Sequence, residues 1–317
     1  MCGIAGMEQA HAEIASRGFT VYSMGAEASV KDMERAALEL MRTDPERLGS
    51  YNGTGMVERQ GIDKSLFTDV AAGAPAELTI QFHHEMAYAA EFPNYVTFAM
   101  VQQAAEGGTT TLADSIAVQQ KFPPALLKKF RTLGVQYIRI LHDESEKNAP
   151  DFCNSWQGVF QTSSLEEAMQ KGNNPANFSV MKKLDDRRLK QSWWCPVFQN
   201  HPVHGELFVS SLLNMYHSWL DRHPNYGPLP TKDRPYQCTW GDGAEFSMDE
   251  ISQIRKAHEE STEFVRLDPG DVCVVDNLRV AHGRTPFKGS RLLGLLLSDM
   301  RPRDPCEAPN EFAKIIA

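Results

Sequence analysis

A histidine and a carboxylate two residues apart on one extended segment can share a metal ion. The chain offers that pair in Gln81-Phe82-His83-His84-Glu85-Met86. If Leu78 to His83 enters as a strand, alternation sends His83 and Glu85 to one side and His84 to the other. A third ligand must come from elsewhere, and the best candidate is His282, in Val280-Ala281-His282-Gly283-Arg284. Two histidines and one carboxylate form the facial triad of non-heme Fe(II) oxygenases, which leaves coordination positions open for substrates. The pair alone is a short pattern among ten histidines, and a surface pair or a strand-end histidine is its plainer reading. His84, facing away, is expected to pack or hydrogen-bond. A rival set, His201, His204 and Glu206, sits in a Pro/Gly turn and is expected to cap a hairpin instead.

The elements that position these residues belong to a chain of ordinary globular composition. Its 317 residues suffice for one large core, or a core with an inserted lobe. Hydrophobic residues make up 42% and charged residues 23%, as in folded soluble proteins. The formal charge of -9 argues against nonspecific nucleic-acid binding, which needs a basic surface. It leaves room for a small anionic substrate held by one or two buried arginines. Six cysteines are scattered with no C-x-x-C pair, so neither a disulfide scaffold nor a zinc knot is expected. Reduced cysteines and a cytoplasmic location are the simple reading. Cys273 is expected to be a small buried hydrophobe. No basic leader with an apolar run and no run of membrane-spanning length is visible.

Along the chain, apolar spacing predicts helices over about 6–16 and 30–41, the second capped by Ser29, around a strand at Phe19 to Tyr22. Strands are expected at 96–101, at the exit of the Gly107-Gly108 turn, at 135–141, 206–210, 263–266, 272–276 and 291–297. The double glycine reads locally as a plain hairpin or loop corner. Helices are expected at 124–133, 165–171 and 216–222, and another after the Ser247/Glu250 capping box. Lys182 to Lys190 reads as a solvated charged face. Many short strands with Gly/Pro turns point to a closed or sandwiched antiparallel fold. The chain lacks a βαβ rhythm with G-x-G-x-x-G, which counts against a dinucleotide domain, and lacks G-x-S-x-G.

Four segments together resemble the Fe(II)/2-oxoglutarate dioxygenases of the taurine dioxygenase and clavaminate synthase-like (TauD/TfdA) family. They are Phe82-His83-His84-Glu85-Met86, Gly107-Gly108-Thr109-Thr110, Thr239-Trp240-Gly241-Asp242-Gly243, and the run from Asp268-Pro269-Gly270-Asp271 through Asp276-Asn277 and His282-Gly283-Arg284 to Arg291. The resemblance covers about residues 10 to 300. It implies a mainly β fold, a double-stranded β-helix or jelly roll with helices outside. Glu85, where many members carry Asp, places the chain nearer the clavaminate synthase branch. The resemblance also implies that His83, Glu85 and His282 ligate Fe(II), and that Arg291 and Thr110 bind the distal carboxylate of 2-oxoglutarate. Read without it, Arg291 is equally a surface arginine at a strand start. One position departs: many such chains carry a further arginine where this one has Leu295. In the taurine enzyme that arginine meets the sulfonate, so a sulfonate substrate is disfavoured. Arg284 or Arg279 could supply charge near the mouth. Asp276 and Asn277 are expected to hold the loop before His282.

The expected enzyme is one domain over 1–317, with a lid and specificity region at about 142–240. Within that region Trp156, Phe160, Trp193, Trp194 and Tyr236 could reach substrate or fill the core. Its co-substrates would be 2-oxoglutarate and O2. Its product would come from hydroxylation, desaturation or cyclisation of a small metabolite, for which the clavaminate-like resemblance implies an amino-acid-like class. Three alternatives stay open: a peptide hydroxylase or demethylase of the same iron class, a metal enzyme needing no 2-oxoglutarate, and a non-catalytic jelly-roll binding protein.

Overall fold

The structure, a computed structural model, describes residues 4–50, 60–70, 74–146, 155–174, 178–184, 188–221, 226–304, 306, 308 and 312. Parts of 44–61, 71–75 and 224–236, stretches whose Gly, Pro, Asn and charge content predicts loops, and most of the tail after 304, lie outside the described residues.

Helix α1 (Ile4–Arg17) leads into β1 (Phe19–Ser23), and α2 (Val30–Met41) follows. Next come β2 (Thr68–Asp69), β3 (Ile80–His83) and β4 (Glu91–Gln102), then β5 (Glu106–Gly107) and β6 (Thr110–Asp114) around the double glycine. Helices α3 (Ser115–Lys121) and α4 (Pro124–Leu133) precede β7 (Val135–Leu141). The middle of the chain holds α5 (Trp156–Phe160), α6 (Leu165–Gly172), β8 (Ser179–Lys183), β9 (Leu189–Cys195), β10 (Phe198–His201), β11 (Gly205–Phe208) and α7 (Leu212–Met215). The last part is β12 (Tyr236–Trp240), α8 (Met248–Glu259), β13 (Thr262–Val265), β14 (Asp271–Asp276), β15 (Val280–Arg284), β16 (Phe287–Lys288) and β17 (Leu292–Pro302).

Two antiparallel sheets make the jelly roll. One runs β1-β14-β4-β17-β2 and the other β13-β6-β15-β3. Their inner faces share one core: Phe98 and Met100 of β4, Cys273 and Val275 of β14 and Leu293, Leu295 and Leu297 of β17 meet Leu112 of β6 and Val280 of β15. Alternation turns Val272, Val274 and Leu296 outward, where Ala36, Ala37 and Leu40 of α2 cover them. Ser29 caps α2 as expected and forms a full capping box with Asp32, and the capping box predicted for α8, Ser247 with Glu250, is present.

A third antiparallel sheet, β12-β7-β9-β8, stands beside the jelly roll. It draws in β7, ahead of residue 142, and packs with α3, α4 and α8 around Phe130, Tyr137, Trp193 and Trp240. Here the sequence reading needs correction. The charged run at 182–190 contains parts of two strands, β8 and β9, paired Lys182 to Lys190. Lys182 and Lys190 take one face, while Met181 and Leu189 on the other close a small core over Trp156. The helix expected at 216–222 is instead α7 followed by a 3-10 turn at His217–Leu220. Strands β4 and β17 outrun their apolar stretches, because each continues to pair with the other as far as Glu91 and Pro302.

Candidate metal centre

Strand register brings the two histidines together. In the β3–β15 pair His83 lies directly opposite His282, with a register shift before Arg284 pairs Ile80. Their rings sit 4.3 Å apart, centroid to centroid. Gly283 makes this approach possible: a Cβ there would come within 2.6 Å of the Ile80 carbonyl and 2.8 Å of Thr111 Oγ1. Phe98 packs edge-on against His282 at 5.1 Å.

Strand β3 ends at His83, so strand pairing does not place Glu85. Asn277 does. This fully buried amide accepts from the Glu85 N–H through Oδ1 at 2.7 Å and donates through Nδ2 to the Glu85 and Pro93 carbonyls at 3.0 and 2.9 Å. The carboxylate then faces both rings: Glu85 Oε2 lies 3.8 Å from His83 Nε2 and 3.5 Å from His282 Nε2. His83 Nδ1 sits 2.8 Å from the Gln81 carbonyl, which assigns it the proton and leaves the Nε2 lone pair toward Glu85. Burial pushes the Glu85 carboxyl up, but the His282 and His83 imidazoles beside it outweigh that and hold the group well below the usual carboxylate range. Two imidazoles and one carboxylate offer ligand atoms within 4.8 Å of one another, a donor set that fits one divalent ion.

His84 takes no part. Ser115 Oγ donates to the Phe208 carbonyl at 2.9 Å, so it accepts from His84 Nε2–H at 3.0 Å, while His84 Nδ1 accepts from the Ser210 N–H at 3.1 Å. Burial pushes its pKa down to about 3, leaving it neutral. It clasps the end of β3 to the segment after β11.

The three donors open into a cavity of about 170 Å³ that is also lined by Thr110, Arg284 and Arg291, with Phe98, Leu293 and Leu295 as apolar walls. Thr110 pairs with Arg284 across β6 and β15. Arg291 donates to the Gly108 carbonyl at 3.3 Å, and a Cβ on Gly108, whose φ is +70°, would lie 3.2 Å from Arg291 Nε. The double glycine is therefore more than a corner, since it gives this guanidinium room. Arg284 Nη2 donates to the Pro75 and Leu78 carbonyls, both at 2.8 Å. The Phe287 ring lies under both guanidinium groups, at 4.7 and 5.6 Å. Burial lowers both pKa values to about 10, and for Arg284 the neighbouring Arg291 charge adds to the effect. Both remain cations at neutral pH. Among the described residues, Nε of Arg291 and Nε and Nη1 of Arg284 are buried without a hydrogen-bond acceptor. Two such cations and a threonine fit a small dicarboxylate such as 2-oxoglutarate.

Other predicted residues fall elsewhere. Arg279 is bound to Asp114 at 3.1 Å and lies 3.2 Å from His204, away from the cavity lining. His201 pairs with Asp276 at 2.8 Å and Glu206 with Arg131, so the rival set shares no ion and braces the turn before His282. Of the five aromatic residues, Trp156 and Trp194 are core, Tyr236 lines the cavity, and Phe160 and Trp193 line a neighbouring cleft. Tyr88 and Asn214 also line the cavity, and no local spacing in the sequence marks them.

The model of the taurine catabolism dioxygenase TauD, TfdA family matches residues 11–296. Among individual proteins, the chain is similar to the dapdiamide synthesis protein DdaC of Enterobacter agglomerans, 28% identical over 76% of this chain and 71% of that one. It is also similar to a clavaminate synthase-like protein of Arabidopsis thaliana, 25% identical over 75% of this chain and 69% of that one. PvcB from Pseudomonas aeruginosa superposes with a TM-score of 0.48 at 12% identity, over 93% of this chain and 81% of PvcB. PvcB is described as an Fe, alpha-ketoglutarate dependent oxygenase from an isonitrile synthetic pathway. A likeness at that score carries no weight, whereas the family match spans most of the chain: the protein belongs to the taurine catabolism dioxygenase TauD, TfdA family, the Fe(II)/2-oxoglutarate-dependent oxygenases its sequence resembles.

Proposed function

We propose that His83, Glu85 and His282 hold Fe(II), and that Arg291 and Thr110 bind the distal carboxylate of 2-oxoglutarate. One observation carries this reading: three metal-ligating groups within 4.8 Å share a cavity with Thr110 and two buried guanidinium groups. When bound, Fe(II) with 2-oxoglutarate and O2 supplies the oxidation of an unactivated C–H bond, by hydroxylation, desaturation or cyclisation, with succinate and carbon dioxide released. The protein supplies position and dryness. Asn277 sets Glu85, and Gln81 sets the His83 ring. Arg291 offers a planar fork in the same cavity as the triad, and Phe98, Leu293 and Leu295 give that cavity apolar walls.

The substrate in this reading is a small metabolite. The names of the relatives, dapdiamide synthesis and clavaminate synthase-like, favour secondary metabolism and an amino-acid-like molecule. Residues 1–317 act as one catalytic domain with 142–240 as lid and specificity wall. A cytoplasmic setting and no nucleic-acid partner complete it, and among the described residues no helix is long and apolar enough to cross a membrane.

The test is an anaerobic visible spectrum of metal-free protein with Fe(II) and 2-oxoglutarate added stepwise. A weak charge-transfer band should appear only with both present. It should vanish in His282→Ala and need more co-substrate in Arg291→Ala. Folded protein that binds Fe(II) but gives no band would rule out the 2-oxoglutarate assignment.

A further inference from the structure

One wall of the metal cavity comes from outside the jelly roll. Asn214 and Met215 of α7 line it, beside Tyr236 of β12. Helix α7 and strand β12 share a core, in which Leu212, Leu213 and Met215 join Cys238 and Trp240. The chain leading into α7 is also tied to His84, between two of the proposed metal ligands. The Ser210 carbonyl accepts from the His84 N–H at 3.0 Å, and Ser211 Oγ donates to the His84 carbonyl at 2.8 Å. The Ser210 N–H donates to His84 Nδ1, and the Ser211 N–H to the Tyr137 hydroxyl, both at 3.1 Å. These bonds fix the start of α7 relative to His83 and Glu85, and they give His84 a purpose between them.

Asn214 stands out on α7. The other residues of this short helix, Leu212, Leu213 and Met215, are buried and apolar, whereas Asn214 is half-buried at the cavity. Among the described residues its side-chain amide has no hydrogen-bond partner. It is also the only amide side chain in the cavity lining, again among the described residues. The charged groups of that lining have other places in the reading above. His83, Glu85 and His282 are the metal donors, Arg291 serves the co-substrate, and Arg284 holds the Pro75 and Leu78 carbonyls. Leu295 sets an apolar wall where many related chains carry an arginine. At α7, then, the cavity offers a substrate a neutral donor and acceptor and no charge.

We propose that Asn214 is a specificity-determining residue that binds a neutral carboxamide group of the substrate. This rests on the oxygenase reading above and adds a substrate class to it, a small molecule bearing a primary amide. An asparagine side chain carries a carbonyl acceptor and an NH2 donor side by side. A primary carboxamide presents the same two groups, so the pair forms two parallel hydrogen bonds. A carboxylate only accepts, and would set an anion against the Asn214 oxygen. An ammonium only donates, and would leave the Asn214 NH2 without an acceptor. Each mismatch leaves a desolvated polar group unpaired, which is the basis of discrimination in such a site.

The test titrates primary carboxamides by anaerobic calorimetry into protein holding Fe(II) and 2-oxoglutarate, each against the acid of the same skeleton. The pairs are L-asparagine and L-aspartate, L-glutamine and L-glutamate, and nicotinamide and nicotinate. At least one amide should bind roughly tenfold tighter than its acid, the range of two neutral hydrogen bonds. Asn214→Leu should weaken that amide roughly tenfold and leave the acid where it was, and Asn214→Gln should recover part of the loss. Should Asn214→Leu fail to fold, the wild-type preference and the Gln variant decide. An acid binding as tightly as its amide, no amide binding at all, or an amide affinity unmoved in Asn214→Leu would each overturn the proposal. A preference for the acid would move recognition to Arg284. The charge-transfer band is read in the same samples. Its loss with amide preference intact faults the oxygenase reading alone, whereas an intact band without amide preference faults Asn214 alone.

Discussion

At the scale of single residues, two histidines and a glutamate become a site only through the groups that hold them. The fully buried Asn277 amide makes three hydrogen bonds, two of them to the Glu85 backbone. Asn277→Ala strands an N–H and two carbonyls, each costing about 1–3 kcal/mol when left unmade. We expect a stability loss of at least about 3 kcal/mol in urea unfolding. We also expect Fe(II) to bind about tenfold more weakly, as when a residue orienting a metal ligand is removed. Unchanged Fe(II) affinity in the folded variant would reduce Asn277 to a loop brace. The sequence marked Asn277 as holding the turn before His282, but its grip on Glu85, 192 residues away, is a tertiary fact. Arg284 is similar: the sequence allowed it near the mouth, and folding buried it beside Arg291.

At the scale of elements, the histidines meet because β15 is inserted between β3 and β6. Helix α8 shows the same coupling. Its capping box and apolar spacing were readable, and its last turn carries His258 into the core, where the ring stacks on Phe82 at 5.4 Å and Nδ1 meets the Ile254 carbonyl at 2.8 Å. Burial pushes the His258 pKa down to about 4. The unfolded chain, with its histidine near 6.5, therefore takes the proton first as pH falls. The stability His258 contributes is whole above about 6.5 and is lost down to about 4, by up to about 1.4 kcal/mol per pH unit. His258→Gln should flatten the stability–pH curve in that window relative to wild type, and parallel curves from urea unfolding would refute the assignment. The strands β8 and β9 escaped the sequence reading for a related reason. Their lysines dominate the composition, while the alternation that matters is carried by Met181 and Leu189 alone.

At the scale of the whole molecule, ligands that bind only the folded state stabilise it in proportion to the logarithm of their concentration. On the proposed reading, Fe(II) with N-oxalylglycine, an unreactive 2-oxoglutarate analogue, would be held by residues of elements far apart in sequence: His83 and Glu85 near β3 and His282 of β15 for the metal, Thr110 of β6 and Arg291 before β17 for the carboxylate. At a hundredfold excess over its Kd, the pair should raise Tm by about 4 °C, the equivalent of about 2.7 kcal/mol. Differential scanning calorimetry should show the shift in wild type and none in His282→Ala. An equal shift in that variant would mean that the metal binds elsewhere.

Legible in the sequence by itself were the antiparallel β class, the caps of α2 and α8, the three residues proposed as metal ligands and the family they resemble. Those features are local: periodicity, turn chemistry, capping and short motifs survive without knowledge of neighbours. Only the tertiary structure decided that His282 lies opposite His83, that Asn277 positions Glu85, and that Arg284 joins Arg291 in one cavity. It also decided that the His201–His204 pair braces a turn. Each of these depends on strand register or on burial between segments far apart in the chain. A one-residue slip in register would turn every side chain of a strand to its other face, and no local pattern records which register the packed core selects.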